Sequence, residues 1–232
     1  MKMSLWNDIW RLFFPQCCLI CGRMLTEGEE HLCIQCLSKL PRTRLNLQKD
    51  NDMEKNFWGK FPVVRAGAFL FYAKGGDVQK LLFALKYYGN SKLGHFLGRC
   101  IAREWQPSGF FEGVDAIVPV PLHRRKQRMR GYNQSRILAE GISSVTHIPL
   151  WDNLLVRSHF TETQTRKGRY ERWINVADMF ACTSPEALRG KHILLVDDVM
   201  TTGATLVACA DAMAQIPDLR ISVLTLAMAG DV

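Results

Sequence analysis

The segment His192-Ile193-Leu194-Leu195-Val196-Asp197-Asp198-Val199-Met200-Thr201-Thr202-Gly203-Ala204-Thr205 limits what this chain can fold into more than any other. A continuous aliphatic run, then small residues, then the helical pattern of TLVACADAMAQI, predicts a buried strand that turns into a helix. Such strands belong to parallel α/β sheets, where ligands bind beyond the carboxyl ends of the strands. Two carboxylates stand at that end. They can accept hydrogen bonds from a pair of vicinal hydroxyls. Thr201, Thr202, Thr205 and the loop N–H groups can surround a phosphate at the positive end of the helix, and Gly203 lets the backbone approach it closely. An ordinary strand, turn and capped helix would account for a lone Asp-Asp or Thr-Gly, but not for the complete order. The segment also lacks the lysine of a GxxxxGK[ST] loop, which excludes that class of nucleotide hydrolase. What it describes is a ribose 5-phosphate site.

The sequence from Val63 onward agrees with a parallel sheet. VVRAGAFLFY reads as a strand, DVQKLLFALKYYG as a helix closed by Gly89, and KLGHFLGRCIAREW as a second helix. VDAIVPVPL is a short buried strand ended by Pro119 and Pro121, YNQSRILAEGIS a helix capped by Asn133, and RISVLTLAMAG a closing strand. Residues 63–232 are therefore expected to form one α/β domain. Residues 46–62 are polar and poorly periodic and read as a linker, and residues 1–45 form a smaller unit ending at Pro41-Arg42-Thr43-Arg44. In that unit Trp6, Ile9, Trp10 and Phe13 follow helical spacing, so a short amphipathic helix is expected from Ser4, packed on the rest of the protein. Asp8 and Arg11 interrupt the run, the order of a secretory signal is missing, and no stretch reaches the roughly 18 apolar residues of a membrane span.

Five of the eight cysteines fall within residues 17–36. Cys18-Leu19-Ile20-Cys21 and Cys33-Ile34-Gln35-Cys36 are two CxxC knuckles whose spacing suits tetrahedral zinc, with Gly22 permitting the turn after the first. Disulfides are the alternative, but the paired spacing and the absence of an export signal favour a metal in a reducing, cytoplasmic setting. With four thiolates supplied by protein the zinc would be structural. Cys17 and His31 are possible substitute ligands, and Cys100, Cys182 and Cys209, on apolar segments, read as core residues.

The balance of 30 basic against 22 acidic residues tilts the chain toward polyanionic partners. Arg124, Arg125, Lys126, Arg128 and Arg130 crowd into the stretch after Pro119-Val120-Pro121-Leu122, where a basic loop could face a diphosphate or, through Arg125, Lys126, Arg128 and Arg130, nucleic acid. Taken singly, each arginine could equally belong to a solvated loop. The polar stretch RSHFTETQTRKGRYERWINVADMF, with Thr161, Thr163, Gln164, Arg166, Arg169 and Arg172, reads as a lid or as a surface helix with ion pairs. Trp58, Tyr87 and Tyr88 could stack bases, but core positions suit them better; His123 and His159 do not differ from surface histidines.

The Asp197–Thr205 segment resembles the phosphoribosyl diphosphate signature of type I phosphoribosyltransferases. The CxxC pair, KYYG, PVPLHRRKQRMRGYNQ, QTRKGRYERWINV and VDDVMTTGAT, in that order, resemble the ComF/GntX family over nearly the whole chain, with Cys17 as an extra cysteine. The resemblance implies a type I phosphoribosyltransferase fold, a parallel sheet flanked by helices with a hood, plus a small N-terminal zinc ribbon. It assigns Asp197 and Asp198 to the ribose hydroxyls and Thr201, Thr202, Gly203, Ala204 and Thr205 to the 5-phosphate. Pro119, Val120, Pro121, Leu122, Arg124 and Arg125 fall to a pyrophosphate loop, and Gln164, Arg169 and Arg172 to the hood. It further implies that Asp197, Asp198 and Arg124 serve, with Mg²⁺, the displacement of pyrophosphate from phosphoribosyl diphosphate by an acceptor that the sequence does not name. Family members are bacterial and cytoplasmic, and some are associated with competence, so single-stranded DNA and a DNA-uptake helicase are implied partners. The competing expectation is a catalytically inactive nucleic-acid-binding accessory protein whose phosphoribosyl site only senses a ligand.

Overall fold

The computed structural model describes residues 16–87, 89–157 and 179–230. The helix expected from Ser4, Tyr88, His159, and the lid residues Thr161, Thr163, Gln164, Arg166, Arg169 and Arg172 lie outside the described residues.

The elements follow in the order α1 (Ile34–Lys39), a 3₁₀ turn (Leu45–Leu47), α2 (Asp52–Lys55), β1 (Val63–Tyr72), α3 (Asp77–Tyr87), α4 (Ser91–Trp105), a 3₁₀ turn (Gln106–Ser108), β2 (Ala116–Pro119), α5 (Arg124–Arg130), α6 (Gln134–Thr146), β3 (Leu155–Arg157), β4 (Phe180–Cys182), α7 (Pro185–Leu188), β5 (His192–Met200), α8 (Ala204–Asp211) and β6 (Arg220–Ala229). β1, β6, β5 and β2, in that order, form a four-stranded parallel sheet, and β3 pairs antiparallel with β4. Successive side chains of a strand point to opposite faces. In β5, Ile193 and Leu195 accordingly pack with Val223 of β6 and with Leu206 and Cys209 of α8. Leu194 and Val196 pack on the other side with Leu81 and Leu85 of α3, Leu97 of α4, and Leu138 and Ile142 of α6. Cover on both faces is what a continuous aliphatic strand requires. No described helix is long and apolar enough to cross a membrane.

Residues 46–62, expected as a linker, are instead packed against β1. Asn51 caps α2 in a reciprocal capping box with Glu54, and its Nδ2 donates to the Ala66 carbonyl at 2.9 Å. Glu54 Oε1 accepts from the Ala66 N–H at 3.2 Å, while Met53 and Phe57 are fully buried. The two apolar residues lie four positions apart on one face of a single turn, too short a period to stand out in a polar stretch. Upstream, the Thr43 N–H donates to the Phe69 carbonyl, its hydroxyl donates to the Ala68 carbonyl, and the Phe71 N–H donates to the Pro41 carbonyl. Together these contacts cover the outer edge of β1 and leave fewer backbone groups open to mispairing.

α4 and α6 cross glycine on glycine. A Cβ on Gly98 would collide with the Leu138 carbonyl oxygen and lie 2.9 Å from the Gly141 Cα; one on Gly141 would collide with the His95 carbonyl oxygen. At Gly94 a Cβ would meet the Ile137 side chain at 2.9 Å, a group that can swing away. We therefore expect Gly98→Ala and Gly141→Ala each to cost about 1–3 kcal/mol or more, the range for overpacking against groups that cannot relax. Gly94→Ala should cost less. Urea unfolding midpoints of the three variants test this ranking, and equal midpoints for all three would refute it.

Candidate functional site

β5 carries Asp197 and Asp198 to its carboxyl end. Asp197 is half-buried and closely surrounded; its Oδ1 accepts from the Ser135 hydroxyl of α6 and from the Asp198 N–H, both at 2.8 Å. Burial, and next the neighbouring charge of Asp198, push its pKa up to about 7, against the pull of those two donors and of Lys86. Asp198 Oδ2 lies 3.0 Å from Lys86 Nζ, in the last turn of α3.

The strand then opens into the hydroxyl-bearing loop. Thr201, Thr202, Ala204 and Thr205 are exposed, whereas Gly203 is buried. Gly203 has a φ of 76°, in the left-handed region, and a Cβ there would sit 3.3 Å from the Phe57 ring. A side chain at this position would thus be both strained and crowded. Gly203 is also the N-cap residue of α8 and supplies no side-chain cap; the Ala204 N–H donates to Thr202 Oγ1 at 3.4 Å, and a helix start of this kind suits an anion.

β2 pairs with β5 through Pro119 and Val196, and the Val120 N–H donates to the Val196 carbonyl at 2.9 Å. Pro121 and Leu122 therefore leave the sheet beside the strand of the acids. The basic stretch that follows, expected as a loop, is the helix α5. His123 caps it by accepting from the Arg125 N–H at 3.2 Å, and Gly131 ends it at a φ of 81°. Arginine, lysine, glutamine and methionine are good helix formers, and that propensity outweighs their charge. Arg124, Arg125, Lys126 and Arg128 are exposed on it; Arg130 is half-buried, donates to Gln134 Oε1 at 2.9 Å and lies over the Tyr87 ring at 5.8 Å.

The turn after α5 ties the site together. The Tyr132 hydroxyl and Gln134 Nε2 donate to the Leu85 carbonyl at 2.5 and 3.3 Å, and Asn133 Nδ2 donates to the Val120 carbonyl at 2.9 Å. Lys86, Tyr132, Gln134 and Ser135 received no role from sequence alone; the signal was present in the strings KYYG and RGYNQ, but not which atoms they reach. Trp58 and Tyr87, better suited on sequence to the core, are 58% and 60% exposed. Cys209 is buried as expected, while Cys100 and Cys182 are only half-buried. At the opposite end of β5, His192 and Ser222 are buried and hydrogen-bonded to one another, and the exposed Asp115 accepts from the His192 N–H.

The four sulfurs of Cys18, Cys21, Cys33 and Cys36 lie within 4.8 Å of one another, and Cys21 Sγ is 3.8 Å from Cys33 Sγ. With Zn–S bonds of about 2.3 Å, the edge of a tetrahedron is about 3.8 Å, so the cluster fits a zinc ribbon. The Cys36 N–H donates to Cys33 Sγ at 3.4 Å and, as the largest influence, helps lower that thiol to about 6, favouring the thiolate. Gly22 turns at a φ of 74°. Cys17 and His31 are not part of the cluster; the His31 ring packs on Phe96 at 5.7 Å. Cys18, Leu32 and Cys33 share one core with α3 and α4.

A phosphoribosyl transferase domain family matches residues 133–229, from the start of α6 to the end of β6. The chain is 31% identical over 200 residues to the DNA utilization protein YhgH of Escherichia coli, covering 84% of this chain and 83% of that one. It is 38% identical over 93 residues to competence protein F of Haemophilus influenzae, covering 40% of this chain and 41% of that one. Among solved structures, a glutamine phosphoribosylpyrophosphate amidotransferase from B. subtilis aligns over 62% of this chain and 30% of that one, with a TM-score of 0.44 and 17% identity.

The raised Asp197 pKa has a consequence for stability. The folded chain retains on Asp197 a proton that the unfolded chain, at the ordinary value of 3.8, has already released. Between about pH 4 and pH 7 the folded state binds more protons, so this group makes stability fall as pH rises. Asp197→Asn, which cannot ionise, should melt higher than wild type at pH 8, with the gap narrowing toward pH 5. Parallel melting curves for the two proteins across that range would contradict the assignment.

Proposed function

The chain belongs to the ComF family of phosphoribosyltransferase-type proteins, and from that premise we propose that the carboxyl end of β5 binds the ribose 5-phosphate portion of phosphoribosyl diphosphate. Its fold is the type I phosphoribosyltransferase fold with a small N-terminal zinc ribbon. One observation carries the proposal: Asp197 and Asp198 stand near the carboxyl end of a buried strand, two residues ahead of the Thr-Thr-Gly-Ala-Thr segment that leads into α8 and is exposed at all but Gly203. The carboxylates accept from the two ribose hydroxyls, and the loop hydroxyls and α8 N–H groups donate to the 5-phosphate. The diphosphate lies toward Pro119–Leu122 and α5, where Arg124 and Arg125 offset its charge.

The reaction of such a site is displacement at C1 of the sugar. A bond from C1 to an acceptor forms as the C1–O bond to diphosphate breaks, and the electron pair leaves with the diphosphate. Asp197, Asp198 and the loop fix the sugar, which lowers the barrier by positioning; arginines of α5 stabilise the charge that leaves. Half-buried carboxylate oxygens are donors Mg²⁺ accepts, but Lys86 already neutralises Asp198, so the ion fits best when held chiefly by the ligand's own oxygens. Mg²⁺ bound with the ligand supplies neutralisation of the diphosphate. Zinc in the four-thiolate cluster is structural, since protein fills all four positions.

The names of the relatives, a DNA utilization protein and a competence protein, support a role for this chain in the uptake or use of DNA; a cytoplasmic place of action goes with that role. A DNA-uptake helicase is the partner this role implies. A second reading, an accessory protein that grips single-stranded DNA and only senses the phosphoribosyl ligand, is favoured by the exposed basic face of α5 and the exposed rings of Trp58 and Tyr87.

Calorimetric titration with phosphoribosyl diphosphate and Mg²⁺ should give saturable heat with wild type. Asp197→Ala should weaken binding about tenfold to a hundredfold, as expected for losing a charge-assisted hydrogen bond. Absence of heat with wild type, or unchanged affinity in the variant, would refute the site. For DNA, log affinity for a single-stranded oligonucleotide should fall linearly with log salt, and Arg125→Glu with Arg128→Glu should flatten the line by about 0.7 for each phosphate that is no longer neutralised. A slope that the double variant leaves unchanged would remove α5 from the nucleic-acid surface.

A further inference from the structure

We propose that Lys86 is a positioning residue of the ribose site: its ammonium aims the Asp198 carboxylate at the sugar hydroxyls, and Tyr132 and Gln134 hold Lys86 in place through the Leu85 carbonyl. The inference rests on the twin acids being the ribose site.

The Lys86–Asp198 pair stands apart from the other ion pairs among the described residues. Its two side chains are 22% and 14% exposed, whereas the α2 pair Lys55–Asp52 is 50% and 83% exposed, and the α3 pair Lys80–Asp77 is 52% and 50% exposed. Exposed pairs contribute little, but a mostly desolvated one fixes geometry, because neither partner can fall back on water. Lysine in the last turn of α3 also faces the favourable end of the helix dipole.

A carbonyl in the last turn of a helix lacks its intrahelical partner and must find donors elsewhere. That of Leu85 has two, the Tyr132 hydroxyl at 2.5 Å and Gln134 Nε2 at 3.3 Å, and Gln134 is 1% exposed. The residue following Leu85 is Lys86. The next residue after Gln134 is Ser135, whose hydroxyl donates to Asp197. One short segment, Tyr132–Ser135, thus reaches both acids: Asp197 directly, and Asp198 by way of the α3 terminus. The Lys86 charge also opposes the repulsion between the two carboxylates, which is one of the influences that raise Asp197.

The test compares three ligands: ribose 5-phosphate, 2-deoxyribose 5-phosphate, which lacks one of the vicinal hydroxyls, and inorganic phosphate. Wild type should prefer ribose 5-phosphate over the deoxy sugar. Lys86→Met should lose about tenfold or more in ribose 5-phosphate affinity, the scale of one charged hydrogen bond, and with it the preference for the hydroxylated sugar, while inorganic phosphate binds as before. Lys86→Arg, which keeps the charge, should restore part of the preference, and Tyr132→Phe should lower it in a protein whose Lys86 is intact. An equal loss for all three ligands would show that Lys86 acts only as a diffuse charge and would overturn the inference, as would a preference untouched by Lys86→Met. Wild type that binds no ribose 5-phosphate would instead bring down the ribose reading on which the inference rests.

Discussion

Two carboxylates side by side at the end of a desolvated strand are costly, and much of the surrounding structure answers that cost. Asp197 receives a hydroxyl and a backbone N–H; Asp198 receives an ammonium. Even so, burial and mutual repulsion hold Asp197 near neutrality in pKa. An apolar end to β5 would be cheaper for the fold. Unsatisfied electrostatic demand kept at one end of a sheet, beside an open hydroxyl-bearing loop, is the mark of a site built for a ligand that brings its own hydrogen-bond donors.

The donors must be held where they are, and packing does that. Ser135 lies in the first turn of α6, whose position is set by the backbone-to-backbone approach of Gly98 and Gly141. No larger residue permits that approach, so α6 cannot slide relative to α4 without opening a gap or a clash. On the other face, the Phe57 ring closes the space beside Gly203, where a Cβ would lie 3.3 Å from it. The carboxyl end of β5 is therefore packed from both faces of the sheet, by α6 on one and by Phe57 on the other.

The strand, its acids, the loop and the two CxxC knuckles were legible because each is carried by contiguous residues of fixed spacing. β5 needs only its aliphatic run, and the cysteine cluster needs only four positions. What escaped depends on contacts between distant segments or on weak local signals. The docking of 46–62 rests on Met53 and Phe57 among polar neighbours, though the Asn51-x-x-Glu54 capping box was available as a clue. α5 was obscured by its charges, although its residue types, His123 and Gly131 jointly specify a short helix. Lys86 carries no local sign of its role: on sequence it is one more lysine on an amphipathic helix, and only the fold brings it to Asp198.

α3 also joins the two parts of the molecule. Lys80 Nζ reaches the Ile20 carbonyl at 3.4 Å beside the first knuckle, and six residues later Lys86 reaches Asp198. α4, packed alongside, adds the Arg99–Glu30 pair at 2.5 Å. On the cysteine side, Cys33 and Glu29 raise the Arg23 pKa, while Lys80 is raised chiefly by Asp77 and only lastly by Cys36 and Cys21. The same helix thus reaches the backbone of the first knuckle with one lysine, itself paired with Asp77, and the acids with another. α3 therefore contacts both the cysteine-bearing segment and Asp198, and packs in one core with Cys18 and Cys33.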